Sequence, residues 1–130
     1  MPAAMMRSSK ASPPSGGREV CARLLALANP PTAALCFNDA VAVGVMRALA
    51  DEGRVVGRDF AVVGFDDIPD ARNMSPALTT VDVDAQHLGE RAAQLLLRQI
   101  ASGDFTPETQ LYGTRLIVRA SCGANNTEGK

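Results

Sequence analysis

The sequence predicts an α/β fold, a parallel sheet flanked by helices, and three observations carry that reading. Two continuous apolar runs, TAALCF at 32–37 and FAVVGF at 60–65, lack polar alternation, as strands covered on both faces do. Between them NDAVAVGVMRALADEG places Ala42, Val45, Met46 and Leu49 in one stripe at helical spacing. Strand, helix and strand at this separation form a βαβ unit with a right-handed crossover.

The elements follow in order. Residues 1–15, rich in Ser, Pro, Ala and Gly, read as a flexible lead-in without the apolar core of a signal peptide. REVCARLLALA at 18–28 suits a helix, with Val20, Leu24 and Leu27 or Ala28 recurring on one side. NPP at 29–31 ends it, because proline lacks an amide hydrogen and restricts the residue before it. After the first strand, Asn38 or Asp39 can cap the next helix. Gly44 weakens that helix by about 1 kcal/mol against alanine, a cost that close helix packing would explain. Gly53 is placed to stop it.

Beyond the second strand, LTTVDV at 78–83 offers a third extended segment. LGERAAQLLLRQIASG at 88–103 is the clearest helix, with Leu88, Ala92, Leu95, Leu96 and Gln99 on one face. LYGTRLIVRAS at 111–121 reads as a closing strand in which Thr114, Leu116 and Val118 share a face. Residues 124–130 read as a disordered tail. Three or four strands are fewer than a doubly wound sheet uses, and the series opens on a helix that should answer an earlier strand. The chain therefore reads as part of a larger α/β protein, or as one that completes its surfaces by self-association.

Composition narrows the function. A chain of 130 residues holds one modest core. With 13 basic and 14 acidic side chains, it offers no basic patch for a nucleic-acid backbone. No run approaches a membrane span, so no membrane partner is expected. The three cysteines, Cys21, Cys36 and Cys122, form no CxxC pair and read as free thiols of a reducing compartment, which places the protein in the cytoplasm.

The polar residues gather at strand ends. In parallel sheets ligands sit beyond the carboxyl ends of strands, and here those ends carry Asn38-Asp39 and Asp66-Asp67. If the two strands are neighbours, Asn38 and Asp66 converge on one cleft. An amide donates and accepts while a carboxylate accepts, a pairing that suits sugar or nucleoside hydroxyls. The bland alternative stays open: one residue of each pair caps a helix and the rest are solvated strand ends.

Catalysis finds little support. A magnesium site for phosphoryl transfer would need a cationic clamp, and Lys10 and Lys130 both lie in the expected tails. His87, the single histidine, starts a helix and reads as a surface or capping residue. No GxSxG, Walker loop, HExxH or GxGxxG occurs. No enzyme, metal or cofactor is expected. The apolar surface of 40–49 and the loop 68–78, with Ile68, Met74 and Leu78, either cover the core or form a two-fold interface.

Several motifs occur together in order: PTA with ND seven residues on, a helix of the form AxGxxxAL, DFAVVGFDD, PALTT, a helix beginning LG, and the closing LIVRAS. From Gly16 to Gly123 the chain resembles the C-terminal effector-binding and dimerisation region of LacI/GalR-family transcriptional regulators. The resemblance implies a partial periplasmic-binding-protein-like, Rossmann-like lobe over residues 16–123. It implies effector binding by Asn38 and Asp66, with Asp39 and Asp67 supporting, and a homodimer through 40–49 and 68–78. It also implies that helix 88–102 belongs to the other lobe of a complete family member. Val83 stands where some sugar-responsive members carry glutamine. Operator DNA would be contacted through a helix-turn-helix domain that this chain does not contain. Two other readings remain: a stand-alone dimerisation or sugar-binding module, and a periplasmic sugar-binding protein, which the missing export signal and the GFDD…PALTT pattern disfavour.

Overall fold

The computed structural model describes Ala4–Met5 and residues 14–124, with side chains from Gly16 onward. Its elements are β1 (Ala4–Met5), α1 (Pro14–Leu25), β2 (Ala33–Leu35), α2 (Asp39–Asp51), β3 (Ala61–Val63), α3 (Pro69–Asn73), β4 (Thr80–Asp82), α4 (Ala85–Ser102) and β5 (Arg115–Ile117). A 3-10 turn at Ala120–Cys122 closes the described chain. The fold is periplasmic-binding-protein-like, with a parallel sheet in the order β1-β2-β3 and helices packed on it.

β2 and β3 pair in parallel with Leu35 opposite Val63, as the βαβ pattern requires. The ladder runs past the strand ends, since the Cys36 amide donates to Val63 O at 2.8 Å and the Asp39 amide to Phe65 O at 2.8 Å. β1 pairs in parallel with β2. It supplies the earlier strand that α1 should answer, and it lies inside the stretch expected as a flexible lead-in. The rest of 1–13, and the expected tail beyond Ala124, fall outside the described residues.

The core is one cluster under α1 and α2. Cys21 from α1 meets Val41, Ala42, Val45, Met46 and Leu49 from α2, with Cys36, Phe60, Val62 and Leu78 from the sheet side. Gly17 makes the helix crossing possible, because a Cβ there would lie 2.4 Å from Val41 O and 2.9 Å from the Gly44 carbonyl carbon. The glycine inside α2 therefore sits at a backbone contact between helices.

One expectation is corrected. Both sheet faces were expected to be covered, yet α1 and α2 cover only the face of Ala34, Cys36 and Val62. Leu35 and Phe37 on β2 and Phe65 beyond β3 point the other way and are 58%, 48% and 37% exposed. The apolar face expected on α4 finds no cover among the described residues, and none of its 18 residues is buried. Leu96, Leu97 and Ile100 are exposed, and only Leu95 and Gln99 are half-buried. Its neighbours are the flanking 103–113 segment, through Gln99 Nε2 to Thr106 O, the Arg98–Glu108 pair and an edge-on contact of His87 with Tyr112.

β4 begins beside β3, where Val63 bridges Thr79 in parallel, then pairs antiparallel with β5. This two-stranded ribbon leaves the core and carries α4 away from it. The closing strand is shorter than expected because the chain turns at Ala120–Cys122 to pin itself on the core. Ser121 Oγ donates to Val62 O at 2.6 Å and accepts from the Thr79 amide at 2.8 Å.

Candidate functional site

The carboxyl ends of β2 and β3 define the site. The residues of interest sit in equivalent register, three beyond the Leu35–Val63 pair on each strand. The hydrogen bond from the Asp39 amide to Phe65 O joins the peptide group following Asn38 to the one preceding Asp66. Asn38 and Asp66 are therefore backbone neighbours across the parallel ladder.

Their side chains have different surroundings. Asn38 Oδ1 accepts from the Val41 amide at 2.9 Å and caps α2, satisfying one of the free first-turn donors. Its amide nitrogen has no partner among the described residues. Asp66 is exposed, and its carboxylate has no hydrogen bond or ion pair to a described residue. Partial burial, and then the charge of Asp39, push its pKa above the ordinary carboxylate value.

The other two acids face inward. Asp39 is fully buried. Its Oδ1 accepts from Thr80 Oγ1 at 2.6 Å and its Oδ2 from the Ile68 amide at 3.0 Å. Gly64 makes room for it, since a Cβ there would fall 2.1 Å from Asp39 Oδ1. The side chain of Asp67 is 4% exposed and joins two arginines, Arg119 at 2.7 Å and Arg72 at 2.8 Å. Burial raises the pKa of Asp67, but the hydrogen bonds and charges of Arg119 and Arg72 outweigh it, and the net shift is downward. Arg119 also donates to Leu78 O at 2.7 Å, tying the end of the ribbon to this loop.

Sequence reasoning gave no role to Gly64, Thr80 or Arg119. Each lay inside a noted motif: the glycine before FDD, the second threonine of PALTT, and the arginine of the closing strand. A glycine two residues ahead of an acidic pair and an arginine beside the apolar run LIV are the signals that could have pointed to buried polar contacts.

The proposed two-fold surface needs correction at 40–49. Val41, Ala42, Val43, Gly44, Val45, Met46 and Leu49 are buried within the chain, so the apolar stripe of α2 serves its own core. Leu78 is buried as well, while Ile68 and Met74 are half-buried against the core. Two of the thiols are shielded: burial, then Asp39, push Cys36 up to about 12, and burial raises Cys21. Among the described residues no group of three potential ligands could hold a metal ion, and no helix is long and apolar enough to cross a membrane.

Comparison with known proteins places the chain. The family model for the periplasmic binding protein-like domain matches residues 2–122. The HTH-type transcriptional repressor PurR of Mannheimia succiniciproducens is 41% identical over 108 residues, covering 83% of this chain and 32% of the repressor. The lactose operon repressor of Escherichia coli is 40% identical over 98 residues, covering 75% of this chain and 27% of the repressor. A crystal structure of a LacI family transcriptional regulator from Enterococcus faecium with bound ribose aligns at a TM-score of 0.78 and 30% identity, over 85% of this chain and 40% of that one. One from Arthrobacter sp. FB24 in complex with lactose aligns at 0.72 and 37% identity, over 85% of this chain and 42% of that one. The chain thus spans about a third of the length of the curated relatives it matches. With GFDD and PALTT in order and the strand ends arranged as described, the chain belongs to the periplasmic binding protein-like domain family in the form found in LacI-family transcriptional regulators.

Proposed function

We propose that this chain forms part of the effector-binding region of a LacI-type regulator and holds a small polar ligand between Asn38 and Asp66. The observation that carries the reading is the single backbone hydrogen bond joining the Asn38–Asp39 and Phe65–Asp66 peptides, beside which the Asp66 carboxylate has no partner among the described residues. A carboxylate unmatched by any cation or amide, next to an amide with spare donors, can accept hydroxyl hydrogens and donate to a ligand oxygen. That chemistry fits a sugar or a nucleobase-like molecule, and the bound ribose and lactose of two similar regulators are polyols of this kind.

In an intact regulator the ligand would favour one lobe arrangement and so change operator affinity at a distance. Operator DNA would be held by a helix-turn-helix region, and the protein would act in the cytoplasm as a homodimer. The dimer contact would use the polar residues left on α2, such as Arg47, together with 68–78. The protein is no enzyme in this reading: Cys36 is held as a thiol by burial, and the one histidine meets Tyr112 edge-on, far along the chain from the strand ends.

Calorimetry with D-ribose, lactose and hypoxanthine as probes tests the proposal. One class should bind the chain, with a Kd of about 1 mM as expected of a partial site, equivalent to about −4 kcal/mol. Asp66→Ala should abolish that binding while leaving the circular dichroism unchanged. Equal affinity in the variant would refute the assignment.

A further inference from the structure

Asp66 and Asp67 are consecutive non-glycine residues with positive φ, 113° and 49°. Residues with a Cβ adopt such backbone only when their surroundings enforce it, at a cost of about 1–3 kcal/mol each. The surroundings here are specific. Three successive backbone amides are each held by a different acceptor: Asp66 N by Val81 O at 2.9 Å, Asp67 N by Thr80 Oγ1 at 3.4 Å, and Ile68 N by Asp39 Oδ2 at 3.0 Å. Thr80 links two of these, because its hydroxyl accepts from Asp67 N while donating to Asp39 Oδ1. The Asp67 carboxylate is fixed from the other side by Arg119 and Arg72. Within 66–67 the Asp66 carboxylate is the one polar side-chain group left unheld by a described residue.

We infer that Asp39, Thr80, Asp67 and Arg119 are positioning residues, which hold the turn at 66–67 in its left-handed form and so present the Asp66 carboxylate to the ligand without touching the ligand themselves. The inference rests on the effector reading above. Its consequence is that affinity depends on a threonine of the ribbon strand and an arginine beyond β5, both outside the strand ends that meet the ligand. Because Val81 and Thr80 belong to the ribbon and Arg119 lies just beyond its second strand, the aim of the carboxylate follows the position of the ribbon.

Thr80→Val keeps the shape and removes the hydroxyl; Thr80→Ser restores it. Positive φ brings the amide proton close to the Hα of the same residue, so isotope-labelled full chain reports the turn as a strong intraresidue NOE. Wild type and Thr80→Ser should show that NOE at Asp66 and Asp67. Thr80→Val should lose it while α2 and β3 keep their amide shifts, and affinity for whichever of D-ribose, lactose and hypoxanthine binds wild type should fall about tenfold, the worth of one such hydrogen bond. A Thr80→Val protein that keeps both the NOE and the affinity overturns the inference. Should Thr80→Val not fold, Arg119→Lys, which cannot reach Leu78 O and Asp67 together, is read the same way. If Asp66→Ala leaves the affinity for that probe untouched, the effector reading fails, and the presentation of the carboxylate fails with it. If Asp66→Ala abolishes binding while the Thr80 and Arg119 variants change nothing, only the positioning inference fails.

Discussion

Replacing Asp39 tests whether the site loop is held by one buried carboxylate. In Asp39→Ala two donors lose their acceptor, the Thr80 hydroxyl and the Ile68 amide, now bonded at 2.6 and 3.0 Å. Each unsatisfied buried donor costs about 1–3 kcal/mol. Part of that is returned because a fully buried carboxylate no longer has to be desolvated. A net loss of about 3 kcal/mol is expected, a large share of the roughly 5–15 kcal/mol that holds a domain folded. Asp39→Asn keeps the shape. Its amide oxygen can face Ile68 N–H while its nitrogen donates to Thr80 Oγ1, so it should lose only about 1 kcal/mol. Urea unfolding followed by circular dichroism reads both: with the slope unchanged, Asp39→Ala should lower the midpoint by about 1–3 M and Asp39→Asn by less than half of that. In a cycle with Thr80→Val the two losses should not add, since they remove the same bond. An Asp39→Ala midpoint equal to wild type would show that the loop is held elsewhere and would refute the reasoning.

Three further outcomes follow from the same geometry. Asp67 has a lowered pKa, so its contribution to stability is complete above the ordinary carboxylate value of 3.8 and is lost as pH falls through the folded value. Asp66 has a raised one, so its ionisation costs stability as pH rises from the unfolded value through the folded value. Asp67→Asn should therefore flatten the acid limb of stability against pH, and Asp66→Asn should gain more at pH 7 than at pH 3; parallel pH curves for wild type and both variants would contradict this. Gly64→Ala places a methyl 2.1 Å from Asp39 Oδ1 and should cost about 3 kcal/mol, whereas Gly89→Ala, with open space on exposed α4, should stabilise by up to about 1 kcal/mol; thermal melts separate them. Sedimentation at tens of micromolar should show a dimer that Arg47→Glu weakens, and a monomer at that concentration would remove the two-fold interface from the account.

The sheet core was legible because two short, continuous apolar runs flank one stripe at helical spacing. TAALCF and FAVVGF are too short for helices and stand on either side of the α2 stripe, and β2, α2 and β3 follow them. The residue pairs at the strand ends were legible as positions, because a parallel sheet places its carboxyl ends together. Their division of labour was not. Asn38 and Asp39 are adjacent and both polar, yet one is half-buried and caps a helix while the other is fully buried under Thr80. Only the long-range partners, 41 residues apart for Asp39 and Thr80, decide between them. β1 was missed because Ala4–Met5 is too short and too plain to carry a pattern, and its strand character comes from pairing with β2. α4 shows the reverse: its amphipathic pattern is plain in the sequence, but no described element lies against its apolar face. Periodicity reports which face wants cover and says nothing of what provides it.

The most direct measurement is a titration of isotope-labelled chain with D-ribose, lactose and hypoxanthine, followed through the Asn38 side-chain amide and the Asp66 carboxyl carbon. The account predicts that one ligand moves both resonances together and saturably, and that Asp66→Ala leaves the Asn38 amide still. Saturable binding that moves neither resonance, or moves only one of them, would contradict a shared opening at the ends of β2 and β3.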